Sequence, residues 1–270
     1  MAEPAPPATL AEVIARLDAI VAAAYQQNSR VGYFAILYRS VSRRVAAGIA
    51  AGEFDDGPRM ETFAVTFATR YLAAHDAWSA GAATTRSWTL AFDTTRRWSP
   101  LILQHLLLGM NAHINLDLGI AAATTAPGDL LPALANDFNR INDILAALSA
   151  GVRTDVEKVS PWIRWVDSID PQTEGGMINF ALDRARANAW SVAGRLATTG
   201  PDQWSAEVDV LDSWTAILGN LILHPGGLLE YVLMRIVRAR ESSNLQKVMN
   251  VLGGVSPTHG GGVRPPAGKG

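Results

Sequence analysis

The stretch Trp98–Thr125, WSPLILQHLLLGMNAHINLDLGIAAATT, constrains the fold more than any other part of the chain. It carries one formal charge, Asp117, among Leu, Ile, Ala, Gly and Met. Ser99-Pro100 offers a capping oxygen and then a proline suited to a first helical turn. A helix over about 99–124 would be apolar on nearly every side, and such a helix is buried. At about 100° per residue, His105, Gly109, His113 and Asp117 share one flank, while Gln104, Asn111 and Asn115 gather on the far one. Buried polar groups need partners. This helix therefore implies an internal polar network or a chemical site.

The rest of the chain reads as further helices. With 270 residues, 49% hydrophobic and 18% charged, there is material for one sizeable core. Residues 1–8 are Pro/Ala-rich and read as disordered; a single domain follows over 9–252, and the Gly/Pro-rich segment 253–270 reads as a disordered tail. Thr9 caps a first helix whose inner face is Leu10, Val13, Ile14, Leu17, Ile20 and Val21. Helices follow over about 31–51, 59–78, the central stretch, 129–150, 173–198, 202–223 and 227–252, with a short one between Ala80 and Arg97. Leu134, Phe138, Ile141, Leu145 and Leu148 form a seam, edged by Asp137 and Asn142. Trp162 and Trp165 lie one turn apart in a mixed segment. No stretch alternates at period two over strand length. The expected fold is all-α, a single domain of eight or nine helices around the buried central one.

Composition narrows the chemistry. The net charge of −2 and the lack of a basic block argue against a nucleic-acid partner. No cysteine means no disulfide and no thiolate metal site or nucleophile. Residues 98–116 are long enough to span a bilayer, but six polar side chains make that placement costly. The N-terminal sequence lacks the pattern of a signal peptide, so the expected location is the cytoplasm. There is no GxSxG, P-loop, dinucleotide fingerprint or HExxH.

What remains is the central helix and its neighbours. His113 and Asp117, four residues apart, can reach one zinc, iron or manganese ion, or can simply bond each other. His105 lies roughly 12 Å from His113 along the axis, so it would serve substrate, a second ion or a neighbouring helix. His75, on the third helix with Glu61, can supply another nitrogen. Asp137 can act as ligand or general base on a bound water, and Asn111 and Asn115 can orient a substrate oxygen. Tyr38, Arg39, Arg59 and Arg70 read as anion binders or, more simply, as internal salt bridges.

The blocks QHLLLGMNAHINLDLGIAAA, YFAILYRSV, RMETFAVTFATRYL and NDFNRIND resemble a bacterial family known as a domain of unknown function, over about residues 10–250. That resemblance implies that His105, Asn111, His113, Asn115, Asp117 and Asp137 sit in group-defining blocks, and implies no reaction. A fainter likeness joins His113-Ile-Asn-Leu-Asp117 to the all-α zinc hydrolases of the phospholipase C and nuclease P1 type. Their motif has a histidine shortly afterwards and this chain has none within a dozen residues, so the likeness implies one metal or none. The leading expectation is a metal-dependent enzyme hydrolysing an ester or phosphoester, with an apolar small-molecule substrate as another option. The alternatives are a metal-free cyclase or isomerase of specialised metabolism, and a non-enzymatic helical binding or scaffold protein. In the last, a His-Asn-Asp network is purely structural and Ala-rich faces carry a homodimer.

Overall fold

The computed structural model describes residues 5–141, 144, 158–160, 175–224 and 228–254. The Asn142 edge of the seam, its Leu145 and Leu148, the Trp162/Trp165 pair and the tail beyond Gly254 lie outside the described residues. Among the described residues there is no strand. The bounded α-helices are α1 (Leu10–Gln26), α2 (Val31–Ala50), α3 (Gly57–Ser79), α4 (Arg86–Thr95), α5 (Ile102–Asn111), α6 (Leu118–Thr125), α7 (Gly175–Ala197), α8 (Ser205–Leu223), α9 (Leu228–Arg240) and α10 (Leu245–Leu252). A helical stretch over 131–141 adds to them.

These ten exceed the expected eight or nine for two local reasons. The segment 227–252 breaks at Ser242–Asn244, where Asn244 turns its side chain onto the Lys247 N–H and starts α10 afresh. The central helix is also divided. Residues Ala112–Asp117 form a π-helical turn between α5 and α6, with the Leu118 N–H bonded to the His113 carbonyl five residues back. Its start lies at Ile102 rather than Ser99. Gln104 Oε1 accepts from the Leu101 N–H, closing the helix end that the Ser99 hydroxyl was expected to close.

The rod Ile102–Thr125 has a mean hydropathy of 1.3 in its most apolar window, and 83% of that window is buried. Around it pack α2, α3, α4, α7 and α8, with α4 also lying against α8. α1 lies against α2 and α3, burying Leu10, Val13, Leu17 and Ile20; Thr9 caps it through the Glu12 N–H. Leu134 and Phe138 of the seam are buried, with Ile141 half-buried. Ahead of α1, Pro7 is buried and the Ala8 N–H bonds Glu12.

Two glycines let neighbours come close to the rod. A Cβ at Gly109 would lie 2.4 Å from Cγ of Phe34 on α2. At Gly119 it would lie 2.6 Å from the Ala189 carbonyl oxygen of α7 and 3.0 Å from Val192. Backbone cannot yield as a flexible side chain can, so the α6–α7 crossing would have to open. Gly119→Ala gains up to about 1 kcal/mol of helix propensity yet should still destabilise the protein by about 2 kcal/mol, because overpacking costs more. Urea unfolding of the variant checks this, and an unchanged or raised midpoint contradicts the crossing.

Candidate functional site

The π turn brings His113 and Asp117 together in the middle of the protein. Nδ1 of His113 lies 3.2 Å from Oδ2 of Asp117. The carboxylate has two further partners from other helices: Arg70 of α3 donates its Nε–H to Oδ1 at 2.8 Å, and Trp88 of α4 donates its indole N–H to Oδ2 at 2.9 Å. Both members of the pair are buried, and Arg70 reaches them from a partly exposed position. Rings close over the imidazole. Phe67 stacks on it at 3.6 Å between centroids, Tyr38 meets it edge-on at 4.5 Å, and Phe34 stands edge-on at 5.9 Å.

Charge follows from these neighbours. Burial pushes the Asp117 carboxyl up, but Arg70, His113 and Trp88 outweigh burial and hold it below its ordinary value. Burial lowers His113 more than its bond to Asp117 raises it. The pair is therefore an anionic carboxylate and a neutral imidazole. The hydrogen bond assigns the proton to Nδ1, which donates to Asp117. Nε2 of His113 is buried without a partner among the rings. Burial and the Asp117 charge drive Tyr38 well above the ordinary phenol value, so it keeps its proton at neutral pH.

The far flank of the rod binds α8. The Asn111 side-chain N–H donates to the Thr215 carbonyl at 2.8 Å, and Asn115 donates to Asn111 Oδ1 at 2.9 Å. Gln104 donates to the Ile222 and Leu223 carbonyls at the end of α8, where a helix leaves its last carbonyls without intrahelical partners. Both polar flanks read from the helical wheel thus exist, each serving as a tie to a neighbouring helix.

The other candidates lie apart from the pair. Asp137 is fully buried at the start of α3, where it accepts from the Asp55 and Asp56 N–H groups at 2.7 and 3.1 Å and from Arg59 at 3.2 Å. Expected as ligand or general base, it lies where it braces the start of α3, accepting from Asp55 and from the N-cap residue Asp56, while Asp56 itself caps the helix through the Arg59 N–H. Asp137→Ala would leave the Asp55 and Asp56 N–H groups and the Arg59 guanidinium without this acceptor and should cost about 2–3 kcal/mol; a calorimetric Tm within error of wild type would contradict that role. His75, expected as a further metal nitrogen, bonds Asp76 at 3.3 Å and touches the rings of Tyr71 and Phe92. Glu61 accepts from the Leu10 N–H.

His105 is the least satisfied group. Both its ring nitrogens are buried without partners, and burial, with the Arg30 and Arg238 charges, lowers it to about 3. It lines a cavity of about 10 Å³ with Arg30, Phe34, Tyr71, Trp88 and Thr95. That is the space of a single water molecule, too little for a substrate.

A metal does not fit this arrangement. Among the described residues no three His, Asp or Glu side chains gather around a common point. Both oxygens of Asp117 are taken, one by a guanidinium whose charge opposes a cation there. His75, His105 and Asp137 share no bond or ring contact with His113.

Two features escaped the sequence reading. Arg70 appeared there as a bridge-forming residue without its partner, because nothing in the spacing relates α3 to the π turn. Buried acids recur at helix starts: Asp212 of α8 accepts from the Arg86 and Ser87 N–H groups at the head of α4, and Glu241 accepts from Ile102 N–H, Ser160 and Arg238 at the head of α5. With Asp137 they show the same device, a carboxylate placed where N–H groups converge.

No curated protein and no solved structure matches the chain. Residues 10–225 match the model of a family described as a family of unknown function, DUF5995. The match spans the rod, both polar flanks and every helix from α1 to α8, so this chain belongs to that family.

Proposed function

We propose that this protein is a non-enzymatic helical scaffold whose central polar network is a structural device. One observation carries the reading. Asp117, the group best suited by position to act as acid, base or ligand, has both oxygens engaged by Arg70, Trp88 and His113 beneath packed aromatic rings. A catalytic group must present a free lone pair or proton to a reacting atom within hydrogen-bond reach. Here the neutral imidazole points its remaining nitrogen into hydrocarbon, and its partner is consumed in holding three helices together. Such a network restricts how α3, α4 and the rod can pack, because another arrangement would strand an ion.

The test has two arms. Carbethoxylation of the folded protein, mapped by mass spectrometry, should modify exposed His224 and spare His105 and His113. A panel of chromogenic esters and phosphoesters, with and without zinc or manganese, should give the same background rate for wild type and His113→Gln. Turnover that the His113→Gln variant loses, while remaining folded, would replace the scaffold reading with the hydrolytic one.

A further inference from the structure

α8 is amphipathic in the wrong sense for a helix on the outside of a domain. Its inward face presents Asp212, Thr215 and Gly219, all buried. Its outward face carries Val210, Trp214, Ile217, Leu218 and Leu221, exposed by 57, 62, 49, 42 and 59%. The spacing of four, three and four through 210, 214, 217 and 221 is that of a helix–helix seam. No charged residue lies between Ser213 and Leu223. A contiguous exposed stripe of this kind marks an association surface.

We propose that this stripe is the contact between two copies of the chain, with the α8 helices antiparallel about a two-fold axis between Ile217 and Leu218. The inference rests on the scaffold reading and names its partner. Three features favour a second copy. The pairing sets Trp214 of each copy against Leu221 of the other, and Ile217 against Leu218, so large meets smaller along a self-complementary seam. It keeps Glu207 and Asp209, which Arg195 and Arg86 of the same chain pair at 2.7 Å each, apart from the same acids of the other copy; a parallel pair would bring acid to acid. The five exposed side chains offer roughly 500 Å² per copy, about 1,000 Å² for the pair, at the lower edge of what specific dimers bury. Anionic lipid is a poorer occupant, because α8 has no Lys or Arg along its length.

The chain of 270 residues lacks cysteine, which makes the test clean. Sedimentation velocity from about 1 to 200 µM should show the mass rise from one 28.9 kDa chain to two. Trp214→Glu should weaken the association about 30-fold or more with an unchanged circular dichroism spectrum. Ile217→Cys should form a disulfide-linked dimer on oxidation. Val210→Cys should not, since the two copies of residue 210 are displaced by about 22 Å along the axis.

A wild-type chain that stays monomeric throughout overturns the proposal. Reaction of Ile217→Cys with a thiol reagent in that monomer would show the stripe open with no copy on it, and overturns the proposal equally. A dimer that survives Trp214→Glu, or that cross-links through Val210→Cys, overturns the seam. None of these results bears on catalysis: the scaffold reading fails only through His113-dependent turnover.

Discussion

Replacing Asp117 with alanine is expected to cost about 3 kcal/mol or more, a large part of the roughly 5–15 kcal/mol that keeps a domain folded. The loss has identifiable parts. Trp88 keeps a buried indole N–H with no acceptor, the His113 Nδ1–H loses its partner, and Arg70 is left with an unpaired charge near the core. Arg70 is partly solvated and can turn outward, which places the expectation at the low end of the range for broken buried pairs. Asp117→Asn should cost less, because one carbonyl oxygen still accepts from Trp88 or Arg70. A double-mutant cycle of Arg70→Ala and Asp117→Ala, read by urea unfolding, separates the ion pair from the rest. The double variant should be more stable than the sum of the single losses predicts. Strict additivity would mean that the two side chains do not stabilise the fold through each other.

Stability should also fall steeply in mild acid. His75, His105 and His113 all have folded-state pKa values below the ordinary histidine value, burial being the largest cause in each. Below about pH 6.5 such a residue takes up a proton in the unfolded chain before it does in the folded one. Its contribution is therefore complete above that pH and lost as pH falls, by about 1.4 kcal/mol per unit for each residue. For His105 the loss continues down to about 3, and amounts to about 3 kcal/mol by pH 4. His75 and His113 act in the same direction. Asp117, held low by Arg70, His113 and Trp88 against burial, keeps its contribution until the pH drops below the ordinary carboxylate range. Glu241 works the other way: burial raises it, so protonation relieves it as pH falls. Three histidines against one carboxyl leave a net loss. His105→Leu exchanges an unpaired polar ring for an apolar side chain and removes one titration. Its stability relative to wild type should improve between pH 7.5 and 5 by about 2 kcal/mol. Parallel pH profiles for the two proteins would show that His105 takes up its proton at the same pH folded and unfolded, so that burial does not lower it.

What could be read from the sequence was whatever one segment determines by itself. The rod was legible because apolar residues on every side of a helix require burial, and its two polar flanks were legible because helical periodicity fixes them. Thr9, Leu17 and the Leu134/Phe138 seam follow from the same local rules. The π turn left no mark, since His113, Asn115 and Asp117 would be written the same way in an α-helix. Nor could the wheel say which of Arg59 and Arg70 meets which acid; that depends on the order in which α3 and the rod cross. Placing Asp137 beside the His113 pair assumed a simple hairpin, whereas the carboxylate turns toward the start of α3. The α8 stripe was visible as spacing, at Val210, Trp214, Ile217 and Leu221. Spacing alone does not say whether it faces the core or solvent; only the packing shows that Asp212, Thr215 and Gly219 point inward.

The borrowed caps at the heads of α3, α4 and α5 have a consequence for how the chain acquires its structure. Each acceptor lies far downstream: 82 residues from Asp55 to Asp137, 126 from Arg86 to Asp212 and 139 from Ile102 to Glu241. During synthesis the first half emerges with only local caps at two of these starts, Asp56 on the Arg59 N–H at α3 and Gln104 on the Leu101 N–H at α5, and the downstream carboxylates complete all three later. Order in the amino-terminal half should arrive late and in one step, with slow folding as the signature of such long-range closure.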